Sequence, residues 1–102
     1  MEANKLFCWL GPAIGPKKFE VGEEVKQKFV HKDYQHRVAF QAAGSGKYLA
    51  NIYQLAKNIL TTKGVEFIFG GGYCTYTEEQ RFFSYRRDGT TGRMATMIWL
   101  KF

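Results

Sequence analysis

No apolar run in the 102 residues reaches the roughly 18 that a membrane span needs, so the chain is expected to carry no transmembrane helix. No long apolar stretch follows Met1-Glu2-Ala3-Asn4-Lys5, and the N-terminus does not read as a signal peptide. Only two cysteines occur, Cys8 and Cys74. Two thiols cannot knit a disulfide scaffold, and neither sits in a C-x-x-C pair, which excludes a zinc knuckle. Both are expected as buried, reduced thiols in a cytoplasmic protein. Histidine is equally scarce: His31 and His36 are five apart, a spacing that does not bring them onto one helical face as a metal pair. Both are expected at the surface. Gly44-Ser45-Gly46 lacks the glycine spacing of a phosphate loop, and Gly46-Lys47-Tyr48 lacks its Ser or Thr. Repeats and low-complexity tracts are absent, so residues 1–102 read as a single domain.

What the chain does have is apolar and aromatic. Hydrophobic residues make up 45% and aromatics 17%, with nine Phe, six Tyr and two Trp. That composition excludes disorder and supports one modest core. The net charge is +6 and the pI about 9.4. Nucleic acid, phosphorylated ligands and acidic proteins all fit that charge, and so does a plain solvated surface. The aromatics are needed for the core and no RNA-binding signature is present, so nucleic acid is not an expected partner.

Hydrophobic patterning predicts an α+β fold: a mixed sheet with two main helices packed on it. Leu6 to Leu10 reads as a short strand buried on both faces, closed by Gly11-Pro12. Val21, Val25 and Phe29 predict an amphipathic helix, acidic at its start and basic at its end. Val38-Ala39-Phe40 reads as a short strand before the Gly44–Gly46 loop. Leu49, Ile52, Ala56, Ile59 and Leu60, widened by Tyr48, Tyr53 and Leu55, predict a second helix ended by Lys63 and Gly64. Val65 to Phe69 reads as another largely buried strand, and Thr77 to Gln80 as one helical turn. Phe82 to Arg87 and Arg93 to Leu100 read as two strands around a hairpin loop at Asp88–Gly92.

Two polar features stand out as ligand-binding candidates. The first is the glycine run after the 65–69 strand, where Gly71 and Gly72 suit either an anion nest or a steric need, from a sharp turn or close backbone approach. The second is the cluster of Arg81, Arg86, Arg87 and Arg93 beside Tyr85. Guanidinium forks match phosphate and carboxylate. If this segment is a strand, Arg86 and Arg87 face opposite sides, and one of them pairs with Asp88 or a Glu or contacts the domain interior. The candidates are therefore Arg86, Arg87, Arg93, Tyr85, Gly71 and Gly72, with no catalytic residue among them.

Phe82-Phe83-Ser84-Tyr85-Arg86-Arg87-Asp88-Gly89, with Thr91-Gly92-Arg93-Met94-Ala95, resembles the closing motif of the laccase-domain proteins. That family is described as multicopper polyphenol oxidases and as zinc-dependent purine nucleoside phosphorylases. Cys74-Thr75-Tyr76, Trp9 to Pro16, Phe19 to Gly22, Tyr48-Leu49 and Ile52 to Ala56 are similar to other family segments, in the same order. The resemblance covers only the C-terminal part of the pattern, and so implies a partial version of the three-layer laccase-domain fold. The family's metal ligands, two His and one Cys, belong to motifs that nothing here matches. His31, His36, Cys8 and Cys74 lie outside those motifs, so neither zinc nor copper is expected on this chain. Asn51 stands where the family usually has Asp, and Lys17 and Lys18 where relatives are often smaller or less charged. The resemblance implies a protein that is non-catalytic alone and completed by another polypeptide, either as a homodimer or with a complementary N-terminal half. The alternative it leaves open is phosphorylase or polyphenol oxidase activity once completed.

Overall fold

A computed structural model of the chain describes residues 3–92. It is an α+β fold whose described residues form two small sheets. Strand β1 (Phe7–Leu10) pairs in parallel with β5 (Phe67–Gly70), so that Phe7 faces Phe67 and Trp9 faces Phe69. The second sheet is antiparallel, with β2 (Glu20–Gly22) and β3 (Phe40–Gly44) on either side of β4 (Lys47–Ala50). The expected α+β class with both parallel and antiparallel strands and two main helices is found, its described strands lying in one parallel and one antiparallel pairing. The β3–β4 hairpin turns through Gly44, Ser45 and Gly46, all at positive φ, which explains the Gly-Ser-Gly sequence as turn chemistry.

Helix α1 (Glu23–Lys32) follows β2 directly and has the expected charge order, with Glu23 and Glu24 first and His31 and Lys32 last. Val21, predicted as its first apolar position, lies in β2 instead and is buried there. Helix α2 (Ile52–Thr62) begins at Asn51, whose side chain accepts the Gln54 amide at 3.1 Å. Tyr48 and Leu49 therefore belong to β4 rather than to the helical stripe. Gly64, at φ 92°, ends α2 as expected, and the Val65 amide reaches back to the Leu60 carbonyl. Between α1 and β3, Tyr34–Ala39 forms a 3-10 segment capped by Asp33, so the expected strand starts only at Phe40.

The core lies where β2, β4, the 3-10 segment and α2 meet, at Val21, Ala39, Ala50, Tyr53, Leu55 and Val65. Among the described residues it contains no large side chain wholly removed from water. The parallel pair lies outside it. Both strands were expected to be buried, yet Phe7, Trp9, Phe67 and Phe69 are exposed. The molecule is a slab 48 × 35 × 18 Å with a radius of gyration of 15.2 Å, against about 13 Å for a compact chain of this length. Its accessible surface is 7799 Å², whereas a compact monomer of this mass exposes about 5,900 Å². Among the described residues, little is layered on the face of β1 and β5 that carries these rings.

Three further expectations change. His36 is buried rather than exposed: its ring meets the Phe29 ring edge-on at 5.7 Å and its Nδ1 lies 3.2 Å from the Asn58 amide nitrogen. Cys8 and Cys74 are half-buried rather than buried. The Phe82–Arg87 segment is not a strand but runs into a single helical turn, α3 (Tyr85–Asp88). The Ser84 hydroxyl caps that turn on the Arg87 amide at 3.3 Å, and Gly89, at φ 73°, closes it. The expected strand from Arg93 to Leu100, and with it Arg93, lies outside the described residues.

Candidate functional site

Two loops carry the polar chemistry of the described residues, and the α2 tyrosine holds them together. Tyr53 is buried, and its hydroxyl oxygen accepts the Ala13 amide at 2.7 Å. The same hydroxyl donates to the Tyr73 carbonyl at 2.7 Å, with the Ala13 carbonyl at 3.2 Å. One phenol thus clamps the Gly-Pro loop after β1 to the glycine run after β5. A backbone bond from Thr75 to the Ala13 carbonyl at 3.0 Å closes the join.

Gly15 packs against Cys74. A Cβ on Gly15 would lie 3.0 Å from the Cys74 Cβ and 3.2 Å from its Sγ, so only glycine sits here without displacing the thiol. The Gly15 amide donates to that sulfur at 3.1 Å, and the Cys74 amide donates to Glu78 Oε2 at 2.7 Å. Burial on its own would push the Cys74 thiol up. Hydrogen bonds from the Thr77 side chain and from the backbone of Thr77, Gly15 and Tyr76 outweigh it and hold the thiol below its ordinary range. Around this thiol opens a cleft of about 330 Å³ between Gly15–Lys18 and Gly71–Glu78, with Lys17 and Lys18 on its rim. Lys18 also stands 5.6 Å over the Tyr76 ring.

The polarised thiol has a measurable consequence. In a Cys8→Ser background, Thr77→Val removes one stabilising donor, so the pH profile of iodoacetamide alkylation at Cys74 should move to higher pH. Alkylation at neutral pH should slow accordingly. An unmoved profile would mean that the hydroxyl does not stabilise the thiolate.

The predicted candidates divide among different surroundings. Gly71 and Gly72 line the Cys74 cleft, but Gly71 sits under the Tyr53 ring, with 3.2 Å between that ring and the place of a Cβ. Close approach therefore accounts for one of the two glycines. Tyr85 and Arg86 line a second cleft of about 300 Å³ with Ile14, Phe19, Thr75, Phe83 and Ser84. Arg86 lies 5.2 Å over the Phe19 ring and donates to the Glu20 carbonyl at 3.3 Å.

Arg87 is a strut. It donates to the carbonyls of Thr75 at 2.9 Å, Tyr76 at 3.0 Å and Phe82 at 3.1 Å, and closes a 2.8 Å ion pair with Asp88. With Nε also on Asp88, all five of its N–H donors are occupied. The expected pairing of one arginine with Asp88 is found, and the pairing holds the Asp88 carboxyl below its ordinary range. The expected strand alternation of Arg86 and Arg87 is not found, because a helical turn separates them by about 100° rather than 180°.

Cys74 and Tyr53 are the site residues that pattern reading missed. Cys74 reads as a lone small hydrophobe, and Tyr53 as one more apolar position on α2. Their common signal was the pair of glycine-rich loops after β1 and β5, which parallel pairing brings to the same end of a sheet.

The histidines and cysteines do not make a metal centre. Among the described residues no three His, Cys, Asp or Glu side chains converge. His36, in the 3-10 segment, is engaged with Asn58, His31 lies exposed on α1, Cys8 is in β1 and Cys74 is in the loop after β5. Among the described residues no set of three side chains is placed to hold zinc or copper.

Comparison with known proteins bears on the whole chain. A family model described as multi-copper polyphenol oxidoreductase laccase matches residues 1–101. The chain is 60% identical over 97 residues to the purine nucleoside phosphorylase YfiH of Escherichia coli (strain K12), covering 95% of this chain and 40% of that protein. It is 51% identical over 98 residues to a purine nucleoside phosphorylase of Haemophilus influenzae, covering 94% of this chain and 40% of that one. The crystal structure of a Neisseria meningitidis protein superposes with a TM-score of 0.78 at 48% identity, over 79% of this chain and 34% of that one. YlmD from Geobacillus stearothermophilus superposes with a TM-score of 0.69 at 27% identity, over 79% of this chain and 31% of that one. The chain spans about 40% of the length of the curated relatives it matches.

Proposed function

Because the chain belongs to the multi-copper polyphenol oxidoreductase laccase family, with relatives named purine nucleoside phosphorylase, we propose that it is a phosphorylase-like protein, non-catalytic alone, that acts as an interaction module. The observation that carries this reading is the separation of its histidines and cysteines, with His31 on α1, His36 in the 3-10 segment, Cys8 in β1 and Cys74 in the loop after β5. In phosphorolysis an oxygen of phosphate attacks the sugar carbon and the purine base departs. A metal would polarise the reacting oxygen, and the described residues offer no converging ligand set for one. Arg87, the best phosphate fork in the sequence, is already saturated by backbone carbonyls and Asp88. The free, half-buried cysteines suit a reducing compartment, and we place the protein in the cytoplasm on that ground.

The test is phosphate-dependent release of base from adenosine and inosine, with the Escherichia coli relative as positive control. The expected result is no turnover by this chain beside an active control. Turnover that a chelator abolishes would overturn the reading. A second reading rests on length: since the chain spans about 40% of its relatives, the remaining part of the Escherichia coli protein, added in trans, would restore turnover if a complementary half completes the site.

A further inference from the structure

The reading above makes no use of His36 or of the cleft beside it. His36 is only 5% exposed, and a chain of amides on α2 sets its tautomer. Gln54 Nε2 donates to Asn58 Oδ1 at 2.8 Å, which turns the Asn58 nitrogen toward the imidazole, 3.2 Å from Nδ1. An amide nitrogen only donates, so Nδ1 accepts and the ring proton resides on Nε2. That Nε2–H has no acceptor among the described residues. No buried side-chain nitrogen among them is left unsatisfied either, so Nε2 is reached by solvent. The opening that His36 lines is a cleft of about 350 Å³ at the C-terminal ends of α1 and α2.

We propose that this cleft binds a small carboxylate with an apolar body, held by the His36 Nε2–H. Phe29 and Ile59 supply apolar wall, the Phe29 ring edge-on to the imidazole at 5.7 Å and Ile59 42% exposed. Lys32 and Lys63, one from each helix end, also line the cleft, and neither has an ion pair among the described residues. The remaining polar groups are already engaged. The Asp33 carboxylate accepts the Gln35 amide and its Nε2, both at 3.1 Å. The Thr62 hydroxyl donates to the Asn58 carbonyl at 2.9 Å and accepts from Gln35 Nε2 at 3.2 Å. What stays unmet is one N–H and two ammonium groups. All are donors, and together they select an acceptor that carries negative charge.

Charge and size narrow the class further. Two ammonium groups, offset by Asp33 and by the carbonyl ends of two helices, match one negative charge rather than two. Phosphate sites are built at helix N-termini, whereas both helices here present their opposite ends. The volume falls at the low end of the range of about 300–1,000 Å³ for small-molecule sites. No residue lines both this cleft and the one around Cys74, so the proposal stands apart from the non-catalytic reading.

Benzoate, titrated near neutral pH into the isotope-labelled chain and followed by NMR, is the test. The expected result is saturable binding with a Kd on the order of millimolar for so small a ligand. Shifts should gather at the amides of Phe29, His36, Ile59 and Lys63. In the imidazole nitrogen spectrum Nε2 should move, while Nδ1, held by Asn58, should not. Benzamide keeps the shape without the charge and should bind about tenfold more weakly. Lys63→Gln, at an exposed position, should weaken benzoate about threefold. His36→Phe keeps a ring, loses the donor and should abolish saturation. If that variant does not fold, Lys63→Gln and the Nε2 shift decide. No saturation by tens of millimolar overturns the proposal, including the case where another segment of the chain fills the cleft. Shifts centred on Lys17 and Lys18, equal binding of benzamide, or unchanged affinity in Lys63→Gln overturn it as well. Tighter binding of phenyl phosphate than of benzoate overturns the carboxylate assignment.

Discussion

Tyr53→Phe should destabilise the fold by about 1–3 kcal/mol, seen as a lower urea midpoint with an unchanged slope. The ring stays and only the oxygen is lost, so the effect isolates the clamp. Without it, the Ala13 amide and the Tyr73 carbonyl lose partners at 2.7 Å in a partly buried position. Leaving such groups unpaired costs more than the average hydrogen bond contributes, because desolvation is no longer offset. Tyr53→Ala adds the cavity left by a buried ring and should cost about 3–5 kcal/mol. The discriminating detail is local: in Tyr53→Phe, hydrogen exchange should quicken in the loops around Ala13 and Tyr73 before it quickens in α2. Uniform loosening would show that the hydroxyl does not serve as the link between the loops.

Gly70→Ala should be at least as damaging, about 2 kcal/mol or more, from two independent causes. The residue sits at φ 91°, a region that L side chains avoid. A Cβ there would lie 2.5 Å from the Leu10 carbonyl oxygen and 3.1 Å from the Leu10 amide nitrogen, both backbone atoms of the paired strand. Neither neighbour is a flexible side chain that turns aside, so the ladder itself must shift. Gly72→Ala, two residues along the chain but with nothing within 4 Å of its Cβ direction and no positive φ, is the matched control and should be nearly neutral. Thermal unfolding of the two variants decides the point: equal midpoints would mean that the 2.5 Å approach relaxes without cost.

Local order was legible in the sequence wherever a short-range rule applied. The Gly44–Gly46 turn, the acidic start and basic end of α1, and the stop of α2 at Lys63 and Gly64 were each read from neighbours a few residues apart. Boundaries were misread where two periods overlap. Val21 fits a helical stripe through Val25 and Phe29, yet pairing with Tyr48 in β4 takes it into the sheet. Tyr48 and Leu49 fit the stripe of α2, yet Asn51 is the cap and starts the helix after them. In Phe82–Arg87 the aromatic run suggested a strand. Ser84 and Gly89 bracket one helical turn instead, and Arg87 then finds three carbonyls that only tertiary approach supplies.

The sequence by itself determined the α+β class, the family motifs, the turn and cap chemistry, and the absence of a C-x-x-C or closely spaced histidine pair. These depend on residue type and on spacings of a few residues, which the covalent chain sets directly. Only the tertiary structure decided which groups meet. It brought Gly15 to Cys74, 59 residues away, and Ala13 to Tyr53, 40 residues away. It buried His36 against Asn58 and left four aromatic rings of an apparently buried strand pair open to water. Hydrophobic pattern records only that a strand seeks cover on both faces. Whether cover is supplied depends on what else packs there, and that is a property of the assembled surface.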